Sequence, residues 1–204
     1  SLIGNGLGHL ANKNFAFIGN GAFNSGYSAY TTVINGSNSY VKGNFSTQIN
    51  GFNNIIDGYF SIIGNGIINR NRADYSTIVN GSGNTIVDVK NATYKFNTIL
   101  NGQNNFIGST NHSTIISGRN HRIRSSYGLI MGGSGNTIPF STLNTAIINL
   151  NNYSAVYSDR VYTPGLMAQD LTATTGPNFV FAETNGHLIY SSVTDVAAML
   201  TGIT

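Results

Sequence analysis

Ser76-Thr77-Ile78-Val79-Asn80-Gly81-Ser82-Gly83-Asn84-Thr85-Ile86 is the stretch that decides how this chain folds. Two short β-prone strings, Ser-Thr-Ile-Val and Asn-Thr-Ile, stand either side of an Asn-Gly corner. Ile, Val and Thr suit a pleated surface, and Asn and Gly tolerate the positive φ of a tight turn. Met once, Asn-Gly would mark a β-hairpin. Here it keeps time. With the corner glycine as marker, the series runs Gly6, Gly21, Gly36, Gly51, Gly66, Gly81, Gly102, Gly118, Gly133, at intervals of 15, 15, 15, 15, 15, 21, 16 and 15 residues. Such a period marks a solenoid, whose units bury their apolar faces only by stacking on one another. Fifteen residues is too short for a pair of helices and suits one coil of two short strands and two turns. A string of hairpins would not need the same aromatic-Ser-Thr-Ile sequence before every turn.

Other columns hold register with the glycine. Directly before it stand Asn5, Asn20, Asn35, Asn50, Asn65, Asn80 and Asn101, then Ser117 and Gly132. Three before it are Ile3, Ile18, Val33, Gln48, Ile63, Ile78, Ile99, Ile115 and Ile130. Three after it come His9, Asn24, Ser39, Asn54, Asn69, Asn84, Asn105, His121 and Asn136. Five after it runs a second apolar column, Val41, Ile56, Ile86, Ile107, Ile123 and Ile138, broken by Ala11, Gly26 and Asn71. Six before it runs an aromatic one, Phe15, Tyr30, Phe45, Phe60, Tyr75, Phe96 and Tyr127, with His112 the exception. Coils stacked about 4.8 Å apart set like residue on like, so amide and aromatic ladders are expected, and nine coils would span roughly 43 Å.

Strand parity carries the argument from fold to assembly. Neighbouring strand residues point to opposite faces, yet the segment before each glycine is apolar on both: Ile62 and Ile63, Ile78 and Val79, Ile99 and Leu100, Ile115 and Ile116, Ile130 and Met131. One parity fills the interior. The other, with the aromatic column, faces outward and would leave a large apolar stripe. These residues leave open which parity lies inside; the more uniform Ile column is preferred. Packing against identical chains is the expected cover for the stripe.

The quoted stretch, with Asn97 to Ile107, Ser113 to Ile123 and Gly128 to Ile138, resembles the parallel β-roll repeats in the heads of trimeric autotransporter adhesins. It is more similar still to the Ser-Thr-Ile-x-Gly-Gly-x-x-Asn-Thr arrays in fibres of phages and large viruses. The resemblance covers about residues 1 to 150 and implies a homotrimer, exposed at a virion surface or extracellularly and used for attachment. Departures are the extra residues around Val87 to Phe96, Gln48 in the Ile column and the imperfect tenth coil Thr145 to Leu150.

After about Asn151 the beat stops. The expected fold is therefore all-β: a parallel β-solenoid (β-roll) of about nine to ten coils over 1–150, homotrimeric, then a small β-rich C-terminal segment over 151–204. In that segment alternating apolar residues flank Asn185-Gly186, which predicts a β-hairpin at 179–190, and Val193 to Leu200 reads as a short helix. The chain begins at Ser1, read as processing or as part of a longer fibre.

Composition narrows the function classes. Of 204 residues 8% are charged, against roughly 25% in ordinary globular domains, while 40% are hydrophobic, so the chain is no disordered polar tract. Net charge is +3, a weak footprint for nucleic-acid binding. There is no Cys, hence no disulfide or thiolate metal site. No apolar run approaches the roughly 18 residues of a membrane helix, so membrane insertion is not expected.

Chemistry is thinly provided. Asp57 and Asp74 lie about one coil apart, and a glycosidase pair needs carboxyls about 5–9.5 Å apart; two solvated loop residues is the preferred reading. His9, His112, His121 and His187 have no metal-ligand spacing, and Gly132-Gly133-Ser134-Gly135 lacks the Lys-Ser/Thr of a phosphate loop. No catalytic residue, metal or cofactor is expected, and the chain is not read as an enzyme. Arg119, Arg122 and Arg124, with Arg70 and Arg72 on an earlier coil, could contact an anionic glycan, though a solvated face is the simpler reading.

The residues expected to matter are structural: Gly21, Gly36, Gly51, Gly66, Gly81, Gly102, Gly118 and Gly133; Asn20, Asn35, Asn50, Asn65, Asn80 and Asn101; Ile63, Ile78, Ile99, Ile115 and Ile130. The function expected is that of a trimeric stalk or head in a viral or phage tail fibre, with other fibre or virion proteins and a host glycan or protein receptor as partners. The receptor surface is placed on the C-terminal segment or on loops such as Val87 to Tyr94. The alternatives are a cellular adhesin or extracellular filament subunit and, further off, a polysaccharide depolymerase. An ice-binding solenoid would want an unbroken Thr array; Thr32, Thr47, Thr77, Thr98 and Thr114 are interrupted by Leu2, Phe17, Ile62 and Leu129.

Overall fold

The structure, a computed structural model, describes residues 1–87 and 96–164, together with the backbone pairing of 178–182 and 188–192. The described part is a parallel β-solenoid of about ten turns with no helix. Its two sheets face each other across a narrow core. Sheet A holds eleven strands, from Leu2–Ile3 through Thr77–Ile78 to Val161–Tyr162; sheet B holds nine, from Leu10–Ala11 through Thr85–Val87 to Thr137–Ile138. Both are parallel and in register by column, with Ile63 beside Ile78, Ile78 beside Ile99, and Ile56 beside Asn71.

One coil shows how sequence becomes geometry. In Tyr75 to Val87, Ser76, Ile78, Asn84 and Ile86 point inward and are buried, while Thr77 and Val79 face out. Parity is thus settled in favour of the Ile column. Ile18, Ile63, Ile78, Ile99, Ile115 and Ile130 on sheet A meet Ile56, Ile86, Ile107, Ile123 and Ile138 on sheet B, each fully buried. Burial of one such side chain stabilises by about 1.5–3 kcal/mol. Two polar residues, Gln48 and Asn71, take the place of an aliphatic one within these two columns. Gln48 Nε2 donates to the Asn50 carbonyl at 2.6 Å and Asn71 Nδ2 to that of Ser76 at 2.7 Å.

The corners carry ladders of their own. Asn69 Nδ2 donates to Gly81 O at 2.9 Å, and its Oδ1 accepts from the Asn84 N–H at 2.9 Å; Asn84 repeats both bonds toward Gly102 and Asn105. Each buried amide therefore ties one coil to the next twice. The glycine is required because its φ is positive, +109° at Gly81, and because a Cβ there would lie 2.1 Å from Gly102 O. Across the coil a hydroxyl ladder does the same: Ser46 Oγ donates to Gly58 O at 2.8 Å and accepts from Ser61 N at 3.0 Å, and Ser61 Oγ donates to Ala73 O at 2.7 Å.

Stacking outlasts the sequence beat. Val161–Tyr162 pairs with Ala146–Ile148, and Tyr162 lies in the interior column beside Ile147. The coil is thus extended past residue 150, where the periodic reading ended. Leu150 stands where a corner glycine would, its carbonyl accepting from Asn136 Nδ2, and Tyr162 replaces the expected Ile. In the C-terminal region Asn178–Ala182 pairs antiparallel with Leu188–Ser192, the two arms of the expected hairpin. Its Asn185-Gly186 turn, the expected helix over Val193 to Leu200 and the loop 88–94 lie outside the described residues.

Candidate functional site

With the interior fixed, the rod offers solvent two sheet faces and two corners. The outward positions of sheet A include Thr47 and Ile49, Ile62, Thr77 and Val79, Thr98 and Leu100, Thr114 and Ile116, Leu129 and Met131. Among the described residues none of these positions carries a charge. Ile49, Ile62, Val79, Leu100 and Met131 remain exposed.

Along one edge of this face runs the aromatic column. Ring centroids are 4.9 Å apart for Phe15–Tyr30, 4.6 Å for Tyr30–Phe45, 4.8 Å for Phe45–Phe60 and 5.1 Å for Phe60–Tyr75, with planes within 8° of parallel. Phe96, His112 and Tyr127 extend the column at 5.3–5.6 Å. The rings project outward, as parity requires, but not from a strand. Every member sits at a corner with φ between 42° and 60°, a left-handed conformation that costs a bulky residue about 1–2 kcal/mol. It turns the backbone N–H toward the preceding coil, as in Phe60 N–H to Asn44 O at 3.0 Å. Sequence reasoning placed this column on the strand; the corner assignment was hidden because aromatic side chains rarely adopt positive φ. His112 is simply another ring in the stack.

Sheet B is different. Its outward positions, and those just past its strands, carry Lys42, Asp57, Arg70, Arg72, Arg122 and Arg124. Asp57 accepts from Arg72 Nε at 3.1 Å and lies 4.0 Å from Lys42 Nζ. Arg122 and Arg124 have no ionic partner among the described residues and are instead seated over rings, Arg122 5.4 Å from the Phe106 centroid and Arg124 5.6 Å from that of Phe140. The basic trio is therefore split. Arg119 stands on the Asn-Gly corner, its Nε donating to Ser134 Oγ at 3.4 Å. Phe106 and Phe140, some sixteen residues either side of the arginines, were not anticipated; only the register between coils brings them in.

The remaining candidates fall into structural places. The repeated corner glycines face the carbonyl of the next coil, and Ile63, Ile78, Ile99, Ile115 and Ile130 fill the core. Asn20, Asn35, Asn50, Asn65, Asn80 and Asn101 are exposed. Where their side chains act they do so locally: Asn80 and Asn101 each accept from the following glycine N–H at 2.8 Å. The amides that bind coil to coil are those three residues after the glycine. Asp74 Oδ1 accepts from the turn N–H of Tyr59 on the neighbouring coil at 2.8 Å, a contact between coils. His121 occupies a rung of the amide ladder, Nδ1 accepting from Asn136 N at 3.1 Å, and burial pushes its imidazole below the ordinary value of 6.5. Among the described residues no group of three His, Cys, Asp or Glu could hold a metal ion, and no helix is long and apolar enough to cross a membrane. Compared with models of known protein families and with curated proteins, the chain matches none.

Proposed function

We propose that this chain forms the shaft or head of a homotrimeric fibre, a structural attachment protein of the viral or phage tail-fibre type that presents a receptor-contacting surface at a virion or other extracellular surface. One observation carries the reading: the outward face of sheet A is free of charge along the rod and is edged by a continuous ladder of rings, most of them exposed. Apolar patches of that extent on soluble proteins mark interaction sites, and a regular rod with identical coils is most simply covered by copies of itself in matching register. Three chains around one axis would hide three such faces and leave three sheet B faces outward. Attachment would then work by multivalency, three weak contacts acting at high effective concentration.

The role is structural and not catalytic. Its three described coil carboxylates, Asp57, Asp74 and Asp159, are engaged by Arg72, by a turn amide and by the Asn144 side-chain amide. Sedimentation or light scattering of the purified chain tests the reading. A species of about three times 21.7 kDa is expected; a lone 21.7 kDa species would overturn it.

A further inference from the structure

We infer that the sheet B face around Arg122 and Arg124 binds an acidic polysaccharide through the carboxylates of its sugars. The inference deepens the fibre reading by naming the chemistry of the attached surface, and depends on that reading only for multivalency. Arg122 lies on the strand Arg122–Ile123 and Arg124 two residues further on, so both guanidiniums leave the same face about 7 Å apart at the backbone. Neither is neutralised by an acid among the described residues. Both are instead positioned by aromatic rings from neighbouring coils.

The seat for Arg122 is built by a missing side chain. The Phe106 ring occupies the space above Gly108, where a Cβ would lie 2.5 Å from its Cε1 and Cζ atoms. A guanidinium stacked on a ring keeps its N–H edge free, and that planar fork matches a carboxylate in bidentate fashion. Phe140, 62% exposed, adds an open apolar surface beside Arg124. A sugar acid offers a carboxylate next to an apolar ring face, and so meets both features at once.

The face favours a polymer over a single sugar. Below Arg122 the same column descends through Phe106 and Thr85 to Arg70, one coil per step of about 4.8 Å. Beside Arg70, which also lacks an ionic partner among the described residues, the surface opens into a groove of about 430 Å³ lined in part by Asn53 and Thr85. A chain lying along the rod axis meets cations at both ends of this track. A net charge of only +3 argues against nucleic acid as the polyanion.

Titration of the whole chain with hyaluronate oligosaccharides, beside neutral dextran, heparin and duplex DNA, tests the site. Expected is binding to hyaluronate and not dextran, weakened at least tenfold by R122Q/R124Q, partly weakened by F140A, and unchanged by R72Q, whose partner is Asp57. No binding to hyaluronate would overturn the inference. So would tighter binding of heparin or DNA, or equal loss in R72Q. The mass of each variant, measured alongside, separates the two proposals: a monomer that still binds hyaluronate refutes only the trimer, and a trimer that does not bind refutes only this site.

Discussion

The two outer faces of the solenoid are made by the same coils, yet they have diverged. Inside, near-uniformity is imposed, with Gln48, Asn71 and Tyr162 among the few exceptions, because a stacked interior tolerates only residues that fit the residue above. Outside, nothing in the stacking demands it. Sheet B behaves accordingly, mixing Tyr40, Ile55, Arg70, Thr85, Phe106 and Arg122 in one column. Sheet A does not: its outward positions stay Thr, Ile, Val, Leu, Met, Phe, Ala or Gly from one end to the other. Uniformity where water would permit variety points to a constraint from beyond the coil. Sister chains in the proposed trimer would supply one.

The largest expected effect breaks this contrast directly. In the proposed trimer, Val79→Glu with Leu100→Glu would bury charge between chains at a cost of several kcal/mol per ion, and the sedimenting mass should fall to that of one chain. Thr85→Glu with Thr137→Glu on sheet B should leave the assembly intact. Equal masses for both pairs would remove the distinction between the faces. Next comes the amide ladder, which both faces share. Asn84→Ala strands the Asn105 N–H and takes one of two donors from the Gly102 carbonyl, which keeps the Ser82 N–H; a buried N–H without a partner costs about 1–3 kcal/mol, and urea unfolding should register a loss of that order.

The aromatic edge of sheet A should respond more mildly. Phe60 stacks on Phe45 and Tyr75, and each contact contributes about 0.5–1.5 kcal/mol. Phe60→Ala should lose both, whereas Phe60→Gly recovers about 1 kcal/mol of left-handed strain and should be the less damaging change. The opposite ranking would refute the account of the corner. Smallest is a pH effect confined to the interior. Burial lowers the His121 pKa in the folded state, so the unfolded chain takes up the proton first. Stability is then full above 6.5 and is lost as pH falls from there through the folded-state pKa, by at most about 1.4 kcal/mol per pH unit. His121→Asn, which restores the usual ladder residue, should flatten the unfolding curve between pH 7 and 5, while sheet B and sheet A variants leave it unchanged.

The solenoid was legible because its demands repeat: a glycine whose Cβ has no room and an amide that must reach the next coil leave the same letters every fifteen residues. Parity became clear only with the fold, since Ile78 and Val79 are equally apolar and only packing tells them apart. The extension to Tyr162 was not legible, because Leu150 and Tyr162 serve the stacking without resembling the residues they replace. At the candidate site the arginines were visible as a cluster. Their aromatic seats were not, because Phe106 and Phe140 belong to other coils and become neighbours only through register.

Because each rung repeats the bonds of the one before it, the rod has no natural middle and no preferred height. Adding or removing one fifteen-residue unit changes no type of contact and moves the far end by about 4.8 Å. The Asn-Gly series is in that sense a ruler, and the length of the rod is written as a count.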